Sequence, residues 1–590
     1  MKELEYPFDS SWILKNRKKI RRALLENQQR RIKKRIAILG GSTTNDVTAM
    51  LELFLLNNGI EPEFYQSEYN RYWQDAVFGN PELNEFKPEL IYIHTTSRNI
   101  TEYTFDMKLS EADVSSALER QYEHFTHMWQ SIEKSFGCPV IQNNFEMPLY
   151  RIMGNSDASD FHGRVNFISS LNTKFYEYAQ SHRDFYINDI NYISACFGLE
   201  KWLEPSYWYM YKYAMNLEAI PELAFNIANI IKSVFGKNKK LLALDLDNTL
   251  WGGVIGDDGL EGIEIGKENA EAESYDEFQR YVKEHKKLGV ILAVCSKNDY
   301  ENAVMGLEHP ESVLSPDDFI SIMANWESKD RNIAAIAEEL SILPESIVFA
   351  DDNPAERHIV SEQLGVAAPE LTSPESYIRT LDRNGYFEVT SFSEDDLKRN
   401  DMYRENIQRE RQRQSFENYE DYLLSLDMHA VIEDFRPVFL QRITQLTNKS
   451  NQFNLTTKRY TISEMEALSE DNRYIRLYGR LKDRFGDNGI VSVVIGEKRK
   501  DTLHIELWLM SCRVLKRDME LAMLDSLVKR CREEGIRYIR GYYFKTQKNA
   551  MVKELYGDFG FIKTEDNGSD TQWLLDTEDY ENKNKVIKMD

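Results

Sequence analysis

Leu241-Leu-Ala-Leu-Asp-Leu-Asp-Asn-Thr-Leu-Trp-Gly-Gly253 sets two carboxylates, Asp245 and Asp247, just past a short apolar run. Lys239-Lys240 bounds the run on one side and a glycine pair on the other. This pattern predicts a buried parallel strand whose carboxyl end opens on the crevice where open α/β sheets build their sites. Two acids with one residue between them can divide labour, one as nucleophile or cation ligand and the other moving a proton. Thr249 is placed to hold the second acid. An isolated Asp-x-Asp is more simply a capped strand end with acids for solubility, so the surrounding chain has to decide.

Three later stretches do so. Val290-Ile-Leu-Ala-Val-Cys-Ser-Lys-Asn298 is a second apolar strand ending in a hydroxyl, Ser296, suited to a phosphoryl oxygen. Asn325-Trp-Glu-Ser-Lys-Asp-Arg-Asn332 brings Lys329, a cation for charge that develops on a transferring phosphoryl group. Ile347-Val-Phe-Ala-Asp-Asp-Asn-Pro354 is a further strand, ending in Asp351 and Asp352. Acid, hydroxyl, lysine and acid pair in this order resemble the four motifs of the haloacid dehalogenase (HAD) superfamily of aspartate-nucleophile phosphotransferases. DLDNTLWGGVIGDDG, CSKND and DDNPAER resemble its FkbH-like branch, HAD class IIIC.

That resemblance implies a Mg²⁺-dependent phosphatase. Asp245 is then the nucleophile and Asp247 the general acid/base, with Ser296, Lys329, Asn248 and Thr249 at the phosphate. Mg²⁺ is expected among Asp245, the backbone carbonyl of Asp247, Asp351 and Asp352, an oxygen-only cage that suits it. FkbH-like proteins are associated with taking a glyceryl group from 1,3-bisphosphoglycerate, removing phosphate and loading an acyl carrier protein. On that reading Cys295 is a third catalytic residue, a thiol that carries the acyl group, with Lys297 available to lower its pKa. As a plain residue Cys295 reads equally well as a small core side chain. The alternative function is a phosphatase of a small sugar or acyl phosphate in polysaccharide or secondary-metabolite biosynthesis, and a non-catalytic scaffold is a third. The spacing between the motifs leaves room for a flap and a helix, roughly Glu268 to Leu288, and for no inserted cap domain.

Around this core the 590 residues predict several domains. Residues 1–237 alternate strands and helices in a doubly wound α/β pattern. Its Gly40-Gly-Ser-Thr43 turn and Asn143-Asn144 resemble the SGNH hydrolase fold. That family's Asp-x-x-His is missing before His94, His124, His127, His162 and His182, so Ser42 is not expected to be catalytic. Residues 238–373 form the HAD domain and 374–433 a helical linker, with the nearly all-polar 397–414 read as a solvated bridge. Residues 434–590 resemble the GNAT acyltransferase fold, an α+β domain, from a hairpin near 481–495 and Asn549-Ala-Met-Val-Lys-Glu-Leu-Tyr-Gly-Asp-Phe-Gly-Phe561. The loop that grips coenzyme A pyrophosphate in that family reads Arg513-Val-Leu-Lys-Arg-Asp518 here, and Asp518 opposes a phosphate. Thr447–Tyr460 resembles an FkbH-like signature and reads as a polar segment facing substrate or another domain.

A net charge of −24 argues against a nucleic-acid partner. Lys15, Arg17, Lys18, Lys19, Arg21, Arg22, Arg30, Arg31, Lys33, Lys34 and Arg35 crowd the opening segment, a solvated helix face or a dock for an acidic partner such as a carrier protein. No membrane-length apolar run or signal sequence is present, and five scattered cysteines make no disulfide framework, so the expected place is the cytoplasm.

Overall fold

The computed structural model describes every residue except 28–30, 391, 393–396, 451 and 547, and the side chain of 449. Arg30 of the basic run therefore lies outside the described residues. The chain forms two compact units, Met1–Val234 and Phe235–Asp590.

The first unit is a doubly wound α/β domain. Strands β1 (Ile32–Gly40), β2 (Ile60–Gln66), β3 (Leu90–His94), β4 (Val140–Asn143) and β5 (Phe185–Asn188) form one parallel sheet in the order β2-β1-β3-β4-β5. Continuous apolar runs such as Leu90-Ile-Tyr-Ile-His94 suit strands covered on both faces. The helix Glu111–Phe136 buries Phe125, Met128, Trp129 and Ile132 against one face, with Phe175 edge-on to Trp129. After β1 the backbone passes so close to Asn99 that a Cβ on Gly41 would lie 2.4 Å from its amide nitrogen, which requires glycine. Ser42 follows, 2% exposed, and its hydroxyl has no hydrogen-bond partner. His94 is committed to Tyr92 Oη (2.8 Å) and Asn143 (3.3 Å), and His162 to Asp160 (2.7 Å). The opening helix, Ser10–Glu26, is capped by Asp9 and buries Ile13, Ile20 and Leu24. Two of its basic residues are paired inside the unit, Arg17 with Asp46 (2.5 Å) and Arg21 with Glu52 (2.8 Å).

The second unit opens with a four-stranded parallel sheet, β6 (Leu241–Leu244), β7 (Ile291–Ser296), β8 (Ser321–Ala324) and β9 (Ile347–Ala350), in the order β8-β7-β6-β9. Its parallel strands give it a Rossmann-like arrangement. A short turn and the helix Ala270–Lys287 fill the space between the first two strands, and the helix Tyr300–Leu307 precedes β8. No cap is inserted among these described residues.

The chain then builds a mixed sheet of nine strands. These are β10 (Met428–Asp434), β11 (Phe453–Asn454), β12 (Tyr474–Asp483), β13 (Gly486–Arg499), β14 (Thr502–Met510), β15 (Tyr538–Tyr543), β16 (Ile562–Asp566), β17 (Thr571–Asp576) and β18 (Ile587–Met589). The parallel pairing of β14 with β15 lasts only from Thr502–Tyr538 to His504–Arg540. Where they part, residues 453–455 enter: β11 pairs with Met510 and Leu509, Leu455 N–H donates to the Trp508 carbonyl and Phe544 N–H to that of Leu455. Residues 453–455 of the polar signature are thus part of the sheet, and Asn549 Nδ2 fastens them by donating to the Asn454 carbonyl (2.9 Å). Lys516 and Asp518 both adopt left-handed backbone ahead of the helix Met519–Glu533. Glu520 in its first turn is pushed up to about 7 by burial and by neighbouring Asp518, so acids already face this helix start.

The polar helix corrects one expectation. Arg399–Arg413 is no solvated bridge: Tyr403 and Ile407 enter the core with Leu241, Ile333 and Phe349. Arg409, 1% exposed, donates to both carboxylate oxygens of Asp483 on β12 (2.8 and 2.7 Å). A guanidinium paired bidentately can be buried, and a polarity count does not reveal it. No helix among the described residues is long and apolar enough to cross a membrane.

Candidate active site

The register of the four-stranded sheet aligns its strand ends: Leu244 pairs with Val294 on one side and Ala350 on the other. Asp245 and Asp351 each follow such a pair, and Asp245 N–H donates to the Ala350 carbonyl (2.9 Å). The helix Lys329–Glu339 starts beside them. Lys329 Nζ donates to Asp245 Oδ2 (2.7 Å) and to Asp351 Oδ2 (2.5 Å). Burial alone would lower the lysine pKa, but the two carboxylates raise it, so the ammonium stays charged. Asp351 is nonetheless raised, first by burial and then by the like charge of Asp245. Asp352 is raised for the same two reasons.

One oxygen from each of Asp245, Asp351 and Asp352 lies within 4.8 Å of the others. Asp245 Oδ1 is buried and has no hydrogen-bond partner. An unpaired carboxylate oxygen among three acids fits a hard divalent cation such as Mg²⁺. Arg357 donates to the backbone carbonyls of Asp351 (2.7 Å) and Asp352 (2.6 Å), which fixes the loop carrying two of the acids.

Asp247 is turned to a different set of partners. Trp251 Nε1 (2.9 Å) and Ile255 N–H (3.1 Å) donate to its Oδ1, and Asn298 Nδ2 (3.1 Å) to its Oδ2. Burial pushes its carboxyl above the usual range against the pull of these hydrogen bonds, which suits a group that must hold a proton. Ser296 ends β7 and is buried.

Two sequence expectations, those for Thr249 and Cys295, are corrected. Thr249 does not hold Asp247 or face a phosphate: it is fully buried, and its hydroxyl accepts from Asp352 N–H (3.3 Å), tying the first acid loop to the last. The Asn248 side chain closes its own loop by accepting from Gly253 N–H (3.0 Å), while its carbonyl accepts from Tyr377 Oη (2.9 Å). Cys295 does not enter the crevice. Its thiol is fully buried among Leu241, Ala243, Ile333 and Phe349 and donates to the Lys329 carbonyl (3.6 Å). Burial raises its pKa well above the ordinary thiol value. Lys297, expected to activate it, pairs with Glu356 instead (2.6 Å). Trp251, Asn298 and Arg357 were missed. Asn298 ends the quoted CSKN run, two residues past Ser296, where its amide could have been read as a donor.

A buried aspartate pair, a bridging lysine and a metal-fit acid cluster at the carboxyl edge of a parallel sheet define a HAD-type phosphatase domain. The family model for the FkbH N-terminal domain matches residues 35–232. The N-terminal part of the protein BF1531 from Bacteroides fragilis, described as containing a phosphatase domain complexed with Mg, is 30% identical over 64% of this chain and 99% of its own, with a TM-score of 0.59. The chain belongs to this FkbH-like family of phosphatase-domain proteins. The ribosomal-protein-S18-alanine N-acetyltransferase from Escherichia coli is 12% identical over 25% of this chain and 94% of its own, with a TM-score of 0.21. No curated protein matches the chain.

Proposed function

We propose that the protein is a Mg²⁺-dependent phosphatase that forms an aspartyl phosphate on Asp245, releases phosphate from a phosphoglycerate-derived substrate and hands a glyceryl group to an acyl carrier protein. The observation that carries the phosphatase chemistry is Lys329 held between Asp245 and Asp351 while Asp245 Oδ1 stays unpaired. An Asp245 oxygen attacks phosphorus as the bond to the leaving oxygen breaks, and Asp247 gives that oxygen its proton. Asp247 then takes a proton from the water that attacks the aspartyl phosphate, which frees Asp245 and inorganic phosphate. Lys329 and Ser296 hold the phosphoryl oxygens. Asp245, Asp351, Asp352 and the Asp247 carbonyl would hold Mg²⁺, which would supply charge neutralisation at the phosphoryl group.

The glyceryl step is supported by the family membership and by an uncapped crevice that admits a tethered group. Its acceptor thiol is the carrier's own, since Cys295 is buried: the thiolate attacks the C1 acyl carbonyl of 1,3-bisphosphoglycerate and expels the C1 phosphate, while Asp245 takes the C3 phosphate, whose leaving oxygen becomes the C3 hydroxyl. That burial also favours a second reading, hydrolysis of a sugar or acyl phosphate without transfer. The test is phosphate release and intact-mass spectrometry with Mg²⁺, 1,3-bisphosphoglycerate and a panel of phosphopantetheinylated carriers. A glyceryl mass on a carrier supports the first reading, and phosphate release alone supports the second. Phosphate release that survives Asp245→Asn overturns both.

A further inference from the structure

We infer that Trp326 is the specificity-determining residue for the leaving group, and that it selects leaving groups that offer a flat or apolar face. The inference rests on the aspartyl-phosphate reading, because in that chemistry the leaving oxygen must lie beside the acid that protonates it. That acid is Asp247, and the groups that fasten it mark the leaving-group side of the crevice. Asn298 donates to Asp247, and the next residue, Asp299, accepts from Trp326 Nε1 (2.8 Å). The indole is thereby pinned by one edge two residues' reach from the acid, with its surface outward.

At 71% exposure Trp326 is the most exposed of the chain's nine tryptophans. Its loop is rigid. Asn325 N–H donates to the Ser296 carbonyl (3.2 Å), Asn325 and Asn332 exchange amide hydrogen bonds (3.2 and 2.9 Å), and Lys329 follows three residues on. A large ring held in place but left in water is preorganised for a ligand, since no ordering entropy is lost on stacking. A second fastener of Asp247, Ile255 N–H, shows the same arrangement: Val254 beside it is 37% exposed, and Tyr300, beside Asp299, is 53% exposed. An indole, a phenol and an isopropyl group thus neighbour the groups that hold the acid.

The test compares two phosphate donors in the full-length protein with Mg²⁺: phenyl phosphate, whose ring can stack, and acetyl phosphate, whose leaving group is too small to reach the indole. Trp326→Ala is expected to lower kcat/KM for phenyl phosphate roughly five- to ten-fold, through KM, and to leave acetyl phosphate within about two-fold. Trp326→Phe should keep most of the phenyl phosphate activity. Equal losses on both donors would mean a role in loop structure alone, and no loss on either would mean the indole is idle; each overturns the inference. Asp245→Asn separates this from the reading beneath it. Acetyl phosphate turnover that survives that change, or is absent in the unaltered protein, counts against the phosphatase assignment instead.

Discussion

Lys329→Met keeps the length of the side chain and removes the single ammonium between two buried carboxylates. Asp245 is 6% exposed and Asp351 not at all, and both give an oxygen to Lys329 Nζ. Deleting one partner of such a pair leaves uncompensated buried charge and costs about 3–5 kcal/mol. Unfolding entropy near 2.1 cal/mol/K per residue gives roughly 0.7 kcal/mol/K for a unit of this size. The magnesium-free unfolding midpoint of Phe235–Asp590 should therefore fall by about 4–7 °C. Part of the repulsion is escaped by protonation of Asp351, whose carboxyl is already raised, so the lower end of that range is expected in mild acid. Phosphate release should fall about 10²–10³-fold, the usual loss when a fixed charge that meets a developing anion is removed. Magnesium supplies the decisive comparison. In the variant the cation also relieves the Asp245–Asp351 repulsion, so its stabilising effect should exceed that in the unaltered protein. Scanning calorimetry in EDTA and in millimolar Mg²⁺, with phosphate release measured in parallel, reads all three quantities. An unchanged midpoint in EDTA, or the same Mg²⁺-induced rise in both proteins, would refute the charge balance described for this site.

Asn298→Ala removes the donor on Asp247 Oδ2, and kcat should fall about 10- to 100-fold with KM nearly unchanged; a loss confined to KM would show that Asn298 binds substrate instead. Cys295→Ala should leave phosphate release within about two-fold, and a thiol reagent should label Cys196 long before Cys295, because one is exposed and the other buried with a raised pKa. Rapid labelling of Cys295, mapped by peptide mass, would contradict that placement. His94 is fully buried, and burial lowers its pKa to about 4. The unfolded chain therefore binds more protons between its ordinary value of about 6.5 and 4, so stability of the first unit should drop as pH falls through that window, by up to about 3 kcal/mol. Denaturant midpoints measured from pH 7 to 4 should show this slope, and His94→Gln should flatten it.

What the sequence made legible follows from what its signals physically are. Apolar runs bounded by turn residues correspond to parallel strands buried on both faces, so β6, β7 and β9 fall where the apolar runs place them. The acids at the ends of β6 and β9 are legible because a carboxylate past an apolar strand has few other reasons to be there. Arg399–Arg413 was misread as solvated, and residues 453–455 within the polar 447–460 stretch were not read as sheet, for one shared reason. Polarity predicts exposure only when the polar groups lack partners, and here Asp483, the β14 backbone and Asn549 supply them from far along the chain. Such pairings are set by tertiary contacts, which no local window contains.

Cys295 is a different kind of miss, because the information was local. Successive residues on a strand face opposite sides of the sheet. In β7, Leu292 and Val294 enter one core with Leu244 and Leu250, while Ile291, Ala293 and Cys295 enter the other with Leu241 and Phe349. A thiol in phase with Ile291 and Ala293 belongs to the packed face beneath the helix Lys329–Glu339. Ser296, one residue on, is out of that phase and stands at the strand end. Bringing Cys295 to Asp245 would require a one-residue slip of β7, which would exchange every buried side chain of that strand between the two cores. On the proposed acyl-transfer reading, the acceptor thiol therefore has to arrive from outside β7, as the arm of a carrier protein would bring it.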